Sequence, residues 1–173
     1  MKTLLIVYQS MTGGTRQMAQ AAADAAIAAA RDAAGEGRAE AVDVRLLTAA
    51  AAGPADVLAA DGYLFATPEN LASMAGLMKD FFDRCYYPAL DRIAGRPYAT
   101  LICAGSDGSN AARQIERITT GWRLEAVAPP LIVCTQAQTP EAIPRPKQID
   151  AAELARCAEL GATLGAGLAL GVF

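Results

Sequence analysis

The stretch TLLIVYQSMTGGTRQMA, residues 3–19, runs an unbroken apolar segment into a corner of small polar residues and then into helix-forming sequence. Thr3–Tyr8 lacks polar alternation, the pattern of a strand covered on both faces. The corner itself holds Ser10, Thr12, Gly13, Gly14 and Thr15. Hydroxyls and bare backbone at the start of a helix make an anion site, because the first N–H groups point outward and the helix dipole favours negative charge. Lysine and arginine are absent from residues 9–15, with Arg16 just beyond. A phosphate monoester would therefore be held mainly by neutral donors.

Other phosphate-binding patterns do not fit. There is no G-x-x-x-x-G-K-[ST], and only Gly13–Gly14 stand where a dinucleotide fingerprint needs three spaced glycines. The first and third strands end in Tyr8-Gln9 and Ala66-Thr67, without the acidic cluster of a phospho-receiver.

Working outward, the pattern alternates. A helix is predicted from about Gly14 to Ala34, through the alanine-rich tract at 19–34, stopped by Gly-Glu-Gly at 35–37. Strands are predicted at 41–46, 62–67, 98–104 and 131–135, the one at 62–67 ended by Pro68. Pro54 opens a short helix through Ala60. Met74, Leu77, Met78, Phe81, Phe82 and Cys85 recur at helical spacing, with Ser73 as the expected N-cap and Pro88 just past the end. A helix over about 110–122 turns Ile115, Ile118, Thr119 and Trp122 inward. Pro129 and Pro130 favour an edge position for the last strand. The prolines of TPEAIPRPK, 139–147, make a loop, and Asp150–Glu153 resembles a capping box for a final helix whose glycines allow close packing. Strands alternating with helices predict an α/β fold, a parallel sheet with helices on both faces, in one domain over residues 1–173. Ligands of such sheets lie beyond the strand C-termini. Three loops converge there: residues 9–15, 67–73 and 104–110.

Composition narrows the function. The 173 residues are 53% hydrophobic and 19% charged, with net charge −3, which leaves no basic footprint for nucleic acid. No apolar run suits a membrane span or a signal peptide, so a cytoplasmic location is expected. Histidine is absent, which removes His general bases, Ser–His–Asp triads and His-based zinc sites; no metal is expected. The four cysteines form no C-x-x-C pair and read as buried free thiols. Chemistry at this site would come from a cofactor.

Three segments resemble the flavodoxin-like family, in its NAD(P)H-dependent FMN reductase and quinone reductase branch. SMTGGT at 10–15 looks like the family's FMN-phosphate loop. ATPENLASMAGLMKDFFDR at 66–84 resembles its isoalloxazine loop and following helix, and CAGSDGSNAARQIERI at 103–118 its third flavin loop. The resemblance implies a three-layer sandwich with a five-stranded parallel sheet of order 2-1-3-4-5. It implies that Ser10, Thr12, Gly13, Gly14 and Thr15 hold the FMN phosphate, with Met11 nearby. Thr67, Pro68, Glu69, Asn70, Leu71 and Ala72 would border the isoalloxazine, and Gly105, Ser106, Asp107 and Gly108 its pyrimidine side. It implies NADH or NADPH as electron donor, a quinone, flavin or similar small molecule as acceptor, and a homodimer or homotetramer. Relatives commonly carry aromatics just after T-P-E-N, where this chain has Leu71, Ala72 and Ser73, so weaker FMN binding than in an aromatic-flanked relative is expected, with either an open face for substrate or room for an aromatic from a partner subunit. No catalytic side chain stands out. Glu69 and Asp107, the acids of these loops, read as braces of their own loops; Arg113 and Arg117 read as a solvated face. The competing readings are a flavodoxin-type electron carrier and a flavodoxin-fold binding protein without FMN.

Overall fold

In the computed structural model, which describes residues 1–35 and 39–173, β1 (Lys2–Tyr8) lies between two parallel neighbours, β2 (Val42–Thr48) and β3 (Gly62–Asn70). The apolar run in β1 serves both faces. Leu4 and Ile6 pack on one side with α1 (Gly14–Gly35) and α5 (Ala151–Leu170). Leu5 and Val7 pack on the other, against α2 (Pro54–Ala59), α3 (Gly76–Ala89) and α4 (Ser109–Gly121). The second core centres on Phe65, whose ring meets Phe82 at 5.0 Å between centroids, and Phe82 in turn meets Trp122 at 5.4 Å. Helix α1 extends through Gly35; the rest of the expected stop signal lies outside the described residues.

Five principal strands follow the expected order 2-1-3-4-5, with β5 (Pro97–Ala104) beside β3 and β7 (Leu131–Cys134) beside β5. Among the described residues the strand count needs correction to seven. Upstream of β7, β6 (Glu125–Ala126) pairs with the start of β5, so the sheet edge is made in two pieces. Pro129 and Pro130 lie in the gap, where two missing N–H groups prevent a continuous ladder. The other addition is β4 (Ser73–Met74), antiparallel to the end of β3, with Asn70 opposite Ser73. Strand β3 thus runs past Pro68 instead of stopping there.

This hairpin also moves the start of α3. Ser73 is no N-cap: its hydroxyl donates to Gln114 Oε1 at 3.0 Å, and the helix begins at Gly76. Pro88 falls inside the last turn of α3. Trp122 and the Phe81–Phe82 pair are buried, as are Met74 and Met78, whereas Leu77 of the expected apolar face is half exposed. Tyr86 and Tyr87 are exposed. Of the free cysteines, Cys85, Cys103 and Cys157 are buried and Cys134 is exposed.

Helices α1 and α5 touch through glycine. A Cβ on Gly161 would lie 2.0 Å from the Ala22 carbonyl oxygen, and one on Gly165 would lie 2.3 Å from that of Ala26. That contact fixes α1, and with it the loop at its N-terminus.

Candidate functional site

The C-terminal ends of β1, β3 and β5 open onto a cavity of about 510 Å³, within the range of small-molecule sites, about 300–1,000 Å³. All three expected loops reach its wall. Ser10, Met11, Thr12 and Thr15 come from the corner after β1; Pro68, Glu69, Asn70 and Leu71 from the end of β3; Gly105 from the turn after β5. A larger cavity of about 680 Å³ lies across the first loop, toward Thr48 and Ala50, and touches neither of the other two loops.

At the first loop, the amides of Gly14, Thr15 and Arg16 open α1 and have no acceptor within the helix. No acidic residue stands in that first turn to oppose an anion. Gly13 has φ +89°, a left-handed conformation natural to glycine, and its N–H donates to Ser10 Oγ at 3.2 Å. Gly14 serves packing instead, since a Cβ there would lie 2.7 Å from Cys103 Sγ. It lets the loop sit down on β5 and not on a ligand. Burial pushes the Cys103 thiol up, opposed by the Thr15 hydroxyl beside it and the Lys147 charge, so this sulfur stays protonated.

At the second loop, Glu69 braces a neighbour. Its two carboxylate oxygens accept from Gly108 N at 2.9 Å and Ala111 N at 3.1 Å. A negative charge thereby sits on the N-terminus of α4 and ties the second loop to the third. Thr67 is fully buried beneath the wall; its Oγ1 donates to the Pro68 carbonyl and accepts from Ala75 N. Leu71 and Ala72 form the two-residue tip of the β3–β4 hairpin with φ +51° and +56°. Two positive φ values suit the twist of such a turn, although Asn-Gly is the usual sequence. Leu71 stands fully in solvent at the cavity mouth. The Asn110 side-chain amide donates to the Ala72 carbonyl and Gln114 Oε1 accepts from Met74 N, so α4 holds the hairpin.

Of Gly105, Ser106, Asp107 and Gly108, only Gly105 reaches the wall, next to Ala104 at the end of β5. Ser106 and Asp107 are exposed, and Asp107 accepts from the Ser109 hydroxyl at 2.8 Å, bracing its own loop as expected. Gly108 is buried with φ +84°. A Cβ there would meet Ile132 at 2.7 Å.

Several wall residues escaped the sequence reading. Cys103, Thr135, Ala137, Ile143, Pro144 and Lys147 all line the cavity. The last three belong to the proline-rich loop before α5. The charged residues at the end of the 66–84 segment are scaffold: Lys79 pairs with Asp83 and Arg84 with Asp80. Arg84 also donates to the carbonyls of Ala49 and Ala52.

A parallel sheet of this order, with a hydroxyl-rich loop at the first helix N-terminus and two further loops closing one cavity, defines a flavodoxin-like protein. Residues 1–138 match the family model for NADPH-dependent FMN reductase, and the chain belongs to that family of FMN-binding oxidoreductases. Solved structures share the fold at low identity. A flavodoxin from the domain Archaea is 16% identical with TM-score 0.72, over 96% of this chain and 98% of that one. A flavodoxin, WrbA-like protein from Agrobacterium tumefaciens is 16% identical with TM-score 0.71, over 95% and 96%. An oxidoreductase from Corynebacterium diphtheriae is 24% identical with TM-score 0.66, over 95% and 96%. No curated protein matches the sequence.

Proposed function

We propose that this protein is an FMN-dependent oxidoreductase that passes electrons from NADH or NADPH through FMN to a small acceptor such as a quinone or free flavin. The observation that carries this reading is one cavity shared by three loops, with Ser10, Thr12 and Thr15 at one end, beside the N-terminus of α1, and mostly apolar walls elsewhere. That donor set fits a phosphate monoester, and the apolar remainder fits a planar ring. Ser10, Thr12 and Thr15, with the amides opening α1, would hold the phosphate. Pro68, Glu69, Asn70 and Gly105 would border the ring. Bound FMN supplies hydride acceptance and electron release.

The protein's part is positioning. Among the described residues Glu69 is the only acid on the cavity wall, and both its oxygens are occupied by backbone N–H groups. Cys103 is kept protonated by burial and lacks thiolate reactivity. Neither is poised to move a proton, which agrees with redox chemistry borne by the cofactor. The test is oxidation of NADH and NADPH by FMN-loaded protein with a quinone and with free flavin as acceptors. Turnover with one nucleotide is the expected result; no turnover with either overturns the reading.

A further inference from the structure

The family match ends at residue 138, and the segment just past it crosses the phosphate loop. Its root rests on the third loop, where a Cβ on Gly105 would be 2.9 Å from the Ala137 carbonyl oxygen. Its far end is fastened to the first. Lys147 N donates to the Thr12 carbonyl at 2.8 Å. The Gln17 side chain, on the first turn of α1, does three things. Its Nε2 donates to the Gly13 carbonyl at 3.1 Å and to the Lys147 carbonyl at 2.7 Å, and its Oε1 accepts from Ile149 N at 3.2 Å. One amide thus joins the phosphate loop to backbone more than a hundred residues away.

The segment is also stiff. Pro140, Pro144 and Pro146 fix three φ angles. The Lys147 ammonium donates to the carbonyls of Ala142, Ile143 and Arg145 at 3.0, 2.8 and 2.7 Å, gathering the loop into one unit. Such a unit moves as a body when its fastening breaks. Because Ile143, Pro144 and Lys147 form cavity wall, lifting it opens the phosphate end.

We infer that residues 137–149 are a strap over the cofactor cavity and that Gln17 is its clasp, a positioning residue that sets how fast FMN enters and leaves. The inference rests on the reading of the cavity as an FMN site. A clasp has a kinetic signature that a direct ligand lacks. Loosening a gate speeds both binding and release, whereas removing a contact to the ligand speeds release alone.

The experiment compares wild type, Gln17→Leu and Gln17→Glu, with Gln20→Leu as control; the Gln20 side chain bonds only Asp24 on the exposed face of α1. Gln17→Glu keeps the acceptor for Ile149 N but cannot donate to the two carbonyls; its carboxylate would oppose the FMN phosphate, so it is read by trypsin digestion of apo-protein alone and serves there if the leucine variant folds poorly. Stopped-flow FMN fluorescence gives both rates. Trypsin digestion of apo-protein gives a readout without cofactor, at the Lys147–Gln148 bond; Arg145 is followed by proline and resists. The expected result is that both FMN rates rise about tenfold, as for loss of a good hydrogen bond, with Kd changed less than about threefold. Lys147–Gln148 cleavage in the apo-variants should quicken in parallel, with Gln20→Leu unchanged. Unaltered rates, or a rise in release alone, overturn the strap while leaving the FMN reading intact. Wild-type protein that binds no FMN overturns the reading first, and the cofactor role of the strap with it.

Discussion

Replacing Glu69 by glutamine tests how the cavity is held together. Glu69 joins the second loop to the third through Gly108 N and Ala111 N. Hydrogen bonds to a charged group contribute about 1.5–3 kcal/mol each, and a charge at a helix N-terminus about 0.3–1 kcal/mol. The side chain is half-buried, so water recovers part of this. Glutamine keeps one acceptor and turns an NH₂ toward an N–H that then lacks a partner. The expected net loss is about 2 kcal/mol. For a chain of this length that lowers Tm by about 4–8 °C. Misaligned loops should also weaken FMN binding by about tenfold. Thermal denaturation and FMN fluorescence titration measure the two effects on one preparation. Unchanged Tm and unchanged Kd would refute the brace. A fall in Tm with unchanged Kd would reduce Glu69 to a stabiliser of α4 without influence on the site.

Gly161→Ala should destabilise despite the better helix propensity of alanine. Propensity adds about 1 kcal/mol, but the new Cβ would sit 2.0 Å from the Ala22 carbonyl oxygen, and overpacking of this kind costs about 1–3 kcal/mol or more; urea denaturation showing a gain would contradict the α1–α5 contact. Ala72→Gly should raise stability by about 1 kcal/mol in the same assay, because Ala72 has φ +56° and glycine adopts that conformation without the Cβ clash. Burial pushes the Cys85 and Cys157 thiols up to about 11 from 9.0. The folded state therefore keeps protons that the unfolded chain releases, and stability should hold below pH 9 and fall as pH rises through 11. Melting curves across this window should show a shallower fall in Cys157→Ala than in wild type.

The alternation of strand and helix was legible because it is local. Apolar runs such as Leu4–Val7 and spacings such as Met78–Phe81–Phe82–Cys85 carry their own period. The first loop was legible for the same reason, as hydroxyls and glycines adjoin the helix they serve. The hairpin at 70–73 was not. Its Leu-Ala tip lacks the Asn-Gly signal of a two-residue turn, and Pro68 reads as a strand stop although it lies within β3. Ser73 reads as an N-cap until Gln114, on α4, takes its hydroxyl. Gly14 illustrates a different limit: the sequence shows that a small residue belongs there, but only the fold shows that Cys103 is what it admits. The strap was the least legible part. Apart from the Gln17 side chain, its fastening uses backbone groups of Thr12, Lys147 and Ile149, which leave no side-chain pattern to read.

Whether the cavity holds a flavin through its phosphate is tested most directly by equilibrium titration of apo-protein with FMN and, in parallel, with riboflavin, which has the same ring and no phosphate. Donors at the α1 N-terminus predict saturable FMN binding, a flavin spectrum that survives desalting, and riboflavin binding weaker by at least about tenfold. Equal affinity for the two, or no retained flavin with either, would contradict a phosphate-anchored flavin site.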